Sequence, residues 1–234
     1  MRELATPHGL RSSGARSPGV VLLHGIARTS RSLKKLERAL QSAGFATLNL
    51  DYASRSKQIA ALADDIHLAV MRFSGARDAP LHFVAHSMGG LLVRAYIAKY
   101  RPARLARVVM LGTPNGGSEV ADLLSGFSPY RAFYGPAGLE LTTANADRSD
   151  ALPAVDYPVG IVAGARFIDP VAGLFILPKP NDGRVSVQSA MMDGMADHII
   201  VKASHTGLPR DAIAIEQTIA FLRGGRFRTG IDHA

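Results

Sequence analysis

Val84-Ala85-His86-Ser87-Met88-Gly89-Gly90 is the stretch whose reading decides the fold. The apolar run before it, Leu81 to Val84, reads as a buried strand. After it, Leu91-Leu92-Val93-Arg94-Ala95-Tyr96-Ile97-Ala98 repeats apolar residues at helical spacing. A serine between a strand and a helix, with small residues two positions to either side, is the pattern of a nucleophile elbow. Only small side chains fit beside so tight a turn, and the turn lifts the hydroxyl clear of the backbone. A helix starting there also aims unpaired N–H groups at the place where negative charge would develop.

Working outward from Ser87, strand-like and helical runs alternate in both directions. Val20 to Leu23 is a short apolar run that ends in His24-Gly25. The spacing of Leu33, Leu36 and Leu40 predicts a helix over 32–43, stopped by Gly44. Phe45 to Leu50 reads as a strand, and Ile59 to Phe73 as an amphipathic helix. Further strands are predicted at Val108–Leu111, at Val159–Ala163 just beyond Pro158, and at His198–Ala203, before a closing helix over Asp211–Leu222. The fold class is therefore α/β, a mainly parallel sheet with helices on both faces. In such sheets a ligand sits beyond the carboxyl ends of the strands. Residues 1–18 read as an N-terminal arm and 19–234 as a single domain, since 234 residues suit one large α/β unit.

Residues 113–157 break the alternation and are rich in Gly, Pro, Asn and Ser. They are expected to form a short cap-like excursion over the edge that carries Ser87. Leu123, Leu124, Phe127 and Phe133 would then supply an apolar substrate wall. A surface loop whose aromatics merely pack it down is the competing reading, because long loops are often but not always functional.

Composition narrows the classes further. Hydrophobic content of 47% with 20% charged residues is that of a globular protein with a sizeable core. With no cysteine there is no disulfide, thiol nucleophile or thiolate metal ligand. The net charge of +8 could draw an anionic partner. Its basic residues are scattered, however, with Arg101, Arg104 and Arg107 the nearest thing to a patch, so no nucleic-acid partner is expected. A membrane surface stays open as a partner, and the oligomeric state is not legible. The segment before Pro18 carries three arginines but no apolar core of signal-peptide length. No run approaches the roughly 18 apolar residues of a membrane span. The expectation is a soluble cytoplasmic protein, with processed export left open.

A serine hydroxyl is a poor nucleophile near neutral pH and needs a neighbouring base. Of eight histidines, His8 and His233 fall near the ends, His67 in a helix, and His82 and His198 at the wrong ends of their strands. His86 is adjacent to Ser87, where consecutive side chains on a sharp turn point apart. His24 stands at the right edge, but the glycine after it suggests a backbone role. His205 follows the last strand at its carboxyl end and is the expected base. Asp182, in the turn signal Asn181-Asp182-Gly183, is the expected acid partner, ahead of Asp169, Asp193 and Asp197. The chain order Ser87, Asp182, His205 is that of the α/β-hydrolase triad. An oxyanion hole would take one backbone N–H from Met88 and a second from Ile26, where Gly25 lets the loop turn toward the serine.

With these residues the chain resembles the α/β-hydrolase lipases and esterases of the bacterial true-lipase type. The matching pieces are His24-Gly25-Ile26, the Ala85–Gly89 elbow, Leu111-Gly112-Thr113-Pro114-Asn115-Gly116-Gly117-Ser118, Asn181-Asp182-Gly183 and Ser204-His205. The alanine that opens the elbow is similar to that of small, lidless Bacillus-type lipases. The resemblance implies a serine carboxylic-ester hydrolase acting on an ester or lipid substrate through an acyl-enzyme, with no cofactor. Larger lipases of this type often carry a calcium-binding aspartate two residues beyond the histidine; here that residue is Gly207, and no structural calcium is expected. Acyl transfer, thioester hydrolysis and phospholipid acyl hydrolysis are the alternatives on the same fold, and a non-catalytic binding protein is the alternative outside it.

Overall fold

The computed structural model describes residues 17–117, 152–167 and 177–228, together with Pro136. Among the described residues, six strands form one all-parallel sheet: β1 (Gly19–Leu23), β2 (Ala46–Leu50), β3 (Leu81–His86), β4 (Leu105–Leu111), β5 (Val159–Gly164) and β6 (Asp197–Val201). Their order across the sheet is β2-β1-β3-β4-β5-β6, which places the strand leading into Ser87 near its middle. The helices whose bounds fall within the described residues are α1 (Lys34–Ser42), α2 (Ile59–Gly75), α3 (Met88–Tyr100), the single turn α4 (Val187–Ala190) and α5 (Ala212–Gly224).

Alternate side chains on each strand go to opposite faces, and on the inner strands β1, β3, β4 and β5 both faces are filled along most of their length. Val21, Leu23, Phe83, Ala85, Val108, Met110, Ile161 and Ala163 pack against Leu62, Ile66 and Val70 of α2 and Leu92 and Tyr96 of α3. Their neighbours Val20, Leu22, Val84, Val109, Leu111 and Val162 pack against Leu36 and Leu40 of α1 and Ala214, Phe221 and Leu222 of α5. Burial on both sides is why these strands appear in the sequence as unbroken apolar runs.

Local chemistry sets the ends of the helices. A 3-10 turn over Ser30–Leu33 leads into α1. The helix closes where Gly44 N–H donates to the Gln41 carbonyl and Phe45 N–H to that of Leu40, with Phe45 packed into the same core. The Asp211 carboxylate accepts the Ala214 N–H at 2.9 Å and starts α5.

The cross-strand pairs Leu23–Ala85, His86–Leu111, Leu111–Val162 and Gly164–Val201 bring the carboxyl ends of five strands to one edge. Some boundaries differ from those read in the sequence. β4 starts at Leu105 instead of Val108, across an irregularity in its pairing with Leu81–Phe83. β6 runs from Asp197 and stops at Val201, where the Ala203 N–H turns back to the Val201 carbonyl. The N-terminal arm to residue 16, most of the 113–157 excursion, and Leu123, Leu124, Phe127 and Phe133 lie outside the described residues.

Candidate active site

Ser87 stands between β3 and α3 with φ 56° and ψ −131°, a conformation that L-residues rarely adopt. Its surroundings over-determine that geometry. The Ser87 N–H donates to the Leu111 carbonyl at 2.9 Å, and its carbonyl accepts from Gly90 N–H and from Thr113 Oγ1, each at 2.9 Å. The two glycines permit the close approach. A methyl at Gly89 would lie 2.6 Å from the Leu23 carbonyl oxygen, and one at Gly90 would fall onto the buried Thr113 side chain.

Asp182 comes from the connection after β5. Its Oδ1 accepts the backbone N–H groups of Arg184 at 2.9 Å and Val185 at 2.8 Å, so the carboxylate is fixed in rotation. The other oxygen, Oδ2, is 2.8 Å from His205 Nδ1, and the His205 N–H donates to the Asp182 carbonyl at 3.0 Å. Since a carboxylate only accepts, the histidine carries its proton on Nδ1. Nε2 is then free to accept, and it lies 3.0 Å from Ser87 Oγ. All three side chains are buried. Gly112 and Gly164 make room for the pair: a methyl at Gly112 would come within 3.1 Å of Asp182 Oδ2, and one at Gly164 within 2.7 Å of Asp182 Cβ.

Thus Ser87, Asp182 and His205, widely separated in sequence, form one hydrogen-bonded line at the carboxyl edge. A hydroxyl bonded to an imidazole whose other nitrogen is held by a carboxylate is arranged for proton removal. Of the rivals to Asp182, Asp197 opens β6 at the opposite edge of the sheet, where Oδ2 accepts the Phe227 N–H; Asp169 lies outside the described residues.

Ile26 follows Gly25 in the loop after β1, and Met88 is the first residue of α3. Gly25 packs flush against the serine: a methyl there would sit 3.0 Å from Ser87 Cβ. The loop has anchors that sequence reasoning missed. Tyr52 Oη donates to the His24 carbonyl, and Ser54 Oγ accepts the Ala27 N–H at 3.2 Å, with Ala27 at φ 54°. Both anchors follow the carboxyl end of β2, so the edge rule applied to that strand would have pointed to them. His24 is fully buried, stacks on Tyr52 at 4.1 Å and bonds its Nδ1 to the Gly25 carbonyl at 2.8 Å. Burial holds its imidazole below its usual pKa, against the opposing pull of the Gly25 carbonyl and Asp51.

His86 turns away from Ser87. Its Nε2 is 2.8 Å from the His205 carbonyl, and its ring centroid is 4.9 Å from that of His205. Burial, then the neighbouring His205, keep its pKa well below the usual value.

Known proteins share this architecture. No curated protein matches the chain in sequence. In structure, a Bacillus licheniformis lipase in its mature form superposes with a TM-score of 0.71 at 19% identity, over 92% of this chain and 96% of that one. A metagenomic carboxyl esterase gives 0.66 at 20% identity, over 87% and 68% of the two chains. A phospholipase from Legionella pneumophila gives 0.59 at 16%, over 75% of this chain and 46% of that one. At these identities the likeness is one of fold. The family model for the alpha/beta hydrolase fold matches residues 18–154, a span that holds the loop after β1, the elbow and Thr113. With the parallel sheet and the serine turn, that match over more than half its length means that the chain belongs to the alpha/beta hydrolase fold family.

Proposed function

We propose that the protein is a serine carboxylic-ester hydrolase of the lipase and esterase type. The observation that carries this reading is the unbroken line from Asp182 Oδ2 through the His205 ring to Ser87 Oγ, at 2.8 and 3.0 Å.

In the reaction, Ser87 Oγ bonds to the acyl carbon while its proton passes to His205 Nε2. Asp182 keeps Nδ1–H in place and stabilises the resulting imidazolium. The N–H groups of Ile26 and Met88 take up the negative charge on the former carbonyl oxygen. The tetrahedral adduct collapses, the bond to the leaving alcohol breaks, and His205 returns the proton to that oxygen. Water then attacks the acyl-enzyme, gives a proton to Nε2 and becomes part of the acid product. Ser87 leaves with that proton. The lipase and esterase names of proteins sharing the fold favour an ester as substrate.

The test is hydrolysis of p-nitrophenyl esters from acetyl to palmitoyl by the wild type and Ser87→Ala. Turnover by the wild type and its loss in the variant are expected, and the chain-length profile separates esterase from lipase. A wild type inert on every ester, or a variant as active as the wild type, overturns the reading.

A further inference from the structure

The reaction above leaves the buried histidine next to Ser87 unused. His86 is 3% exposed, and its ring lies between two loops that arrive from different strands. On one side is the His205 carbonyl, 2.8 Å from Nε2. On the other is Gly25, where an added methyl would come within 3.2 Å of His86 Nδ1. A carbonyl can only accept, so the proton of His86 is on Nε2 and Nδ1 presents a lone pair. That Nδ1 is buried without a hydrogen-bond partner. Leaving a buried polar atom unpaired is destabilising. An apolar ring of similar shape would avoid that cost and lose only the bond to His205.

Resting on the hydrolase reading, we propose that His86 is a positioning residue that sets the spacing between the base and the oxyanion loop. Its Nε2–H ties down the backbone of His205, and the opposite side of the same ring braces Gly25. His205 is otherwise held at its N–H by the Asp182 carbonyl, at Nδ1 by the Asp182 carboxylate and at Nε2 by the Ser87 hydroxyl, the one bond that must break and re-form in the reaction. The two contacts that persist through the reaction come from one residue, Asp182, and allow a shared drift of the two side chains. The bond from His86 starts on the last residue of β3, next to Ser87, and so references the backbone of the base to that of the nucleophile. Charge matters as well. His205 becomes an imidazolium in the reaction, with Arg28 and Arg184 also acting on His86. A neutral ring at 4.9 Å adds no further like charge there.

The experiment compares the wild type, His86→Phe, His86→Gln and Ser87→Ala as full chains, on the best ester of the p-nitrophenyl series. Phenylalanine fills the space without a donor, whereas glutamine keeps an N–H at comparable reach. Small misplacement of reacting groups can cost about 10²-fold. His86→Phe should therefore lower kcat by about 10- to 100-fold with KM within about twofold, and His86→Gln should recover kcat to within a few-fold. Thermal midpoints of both report folding. Wild-type kcat in a folded His86→Phe overturns the proposal, as does a folded His86→Gln no better than His86→Phe. If the phenylalanine variant does not fold, His86→Gln decides alone: near wild-type kcat sustains the assignment and a 10-fold or greater loss ends it. Ser87→Ala keeps the two readings apart, because full activity there sinks the hydrolase mechanism whatever His86 does.

Discussion

At the residue scale, Ser87 shows how neighbours hold a conformation that the backbone resists. A non-glycine residue in such a region costs about 1–3 kcal/mol and persists only where the surroundings impose it. Here they are the bonds from Gly90 and Thr113 to the Ser87 carbonyl and the close seat of Gly89 on Leu23 and His24. The obstacle at Gly89 is main-chain carbonyl oxygen, which cannot swing aside as a side chain can. Gly89→Ala should therefore push α3 off β1 and lower stability by about 1–3 kcal/mol, the usual cost of overpacking. It should also reduce ester turnover more than 10-fold, because the displaced carbonyls belong to the strand end that leads into Gly25. Urea denaturation and p-nitrophenyl ester kinetics check the two effects, and a variant unchanged in both would contradict the packing argument. The same glycines explain why this part of the site was legible in sequence. Close approach leaves a residue-type signature at fixed offsets from the serine.

At the scale of elements, the loop after β1 depends on two side chains beyond β2. Tyr52 Oη holds the His24 carbonyl and Ser54 Oγ holds the Ala27 N–H, on either side of Gly25 and Ile26. Tyr52→Phe keeps the stacking ring and removes only the donor. On the proposed role of Ile26, kcat should fall about 10-fold with KM little changed, short of the ~10²–10³ for losing an oxyanion donor outright. A larger rise in KM than fall in kcat would place Tyr52 in substrate binding instead. The edge rule marks the stretch after β2 as part of the site, but nothing near Tyr52 or Ser54 marks which partner, some 27 residues away, each one holds. Strands and helices fared differently. β1 and β5, buried on both faces, show up as short apolar runs, and Leu33, Leu36 and Leu40 mark the core stripe leading into and along α1. The first residues of β4, Leu105 to Arg107, are only partly buried and sit at a break in strand register, so the apolar pattern began late.

At the scale of the whole molecule, three buried histidines link folding to pH. Burial pushes the pKa of His82 down to about 4, with Arg107 nearby adding to the effect, and it lowers those of His24 and His86 too. An unfolded histidine titrates near 6.5. Below that pH the unfolded chain binds protons that the folded chain refuses, and stability falls with pH. The stabilisation is thus complete above about pH 6.5 and is lost as pH drops; for His82 the loss runs down toward pH 4, with a slope of about 1.4 kcal/mol per unit, and His24 and His86 add in the same direction. Urea midpoints between pH 7.5 and 4.5 should trace this decline, and His82→Gln should flatten it. An unchanged slope in that variant would remove His82 from the account.

The order of the pieces along the chain has a consequence in time. Ser87 and His205 are 118 residues apart, and Asp182 and His205 both belong to connections that follow β4. A chain emerging from the ribosome presents its serine early, as an ordinary alcohol without a base. On the proposed roles, the nascent molecule is chemically silent until β6 has paired with β5 and brought His205 to the edge. Reactivity then arrives late in assembly, and a half-made polypeptide cannot attack the esters around it.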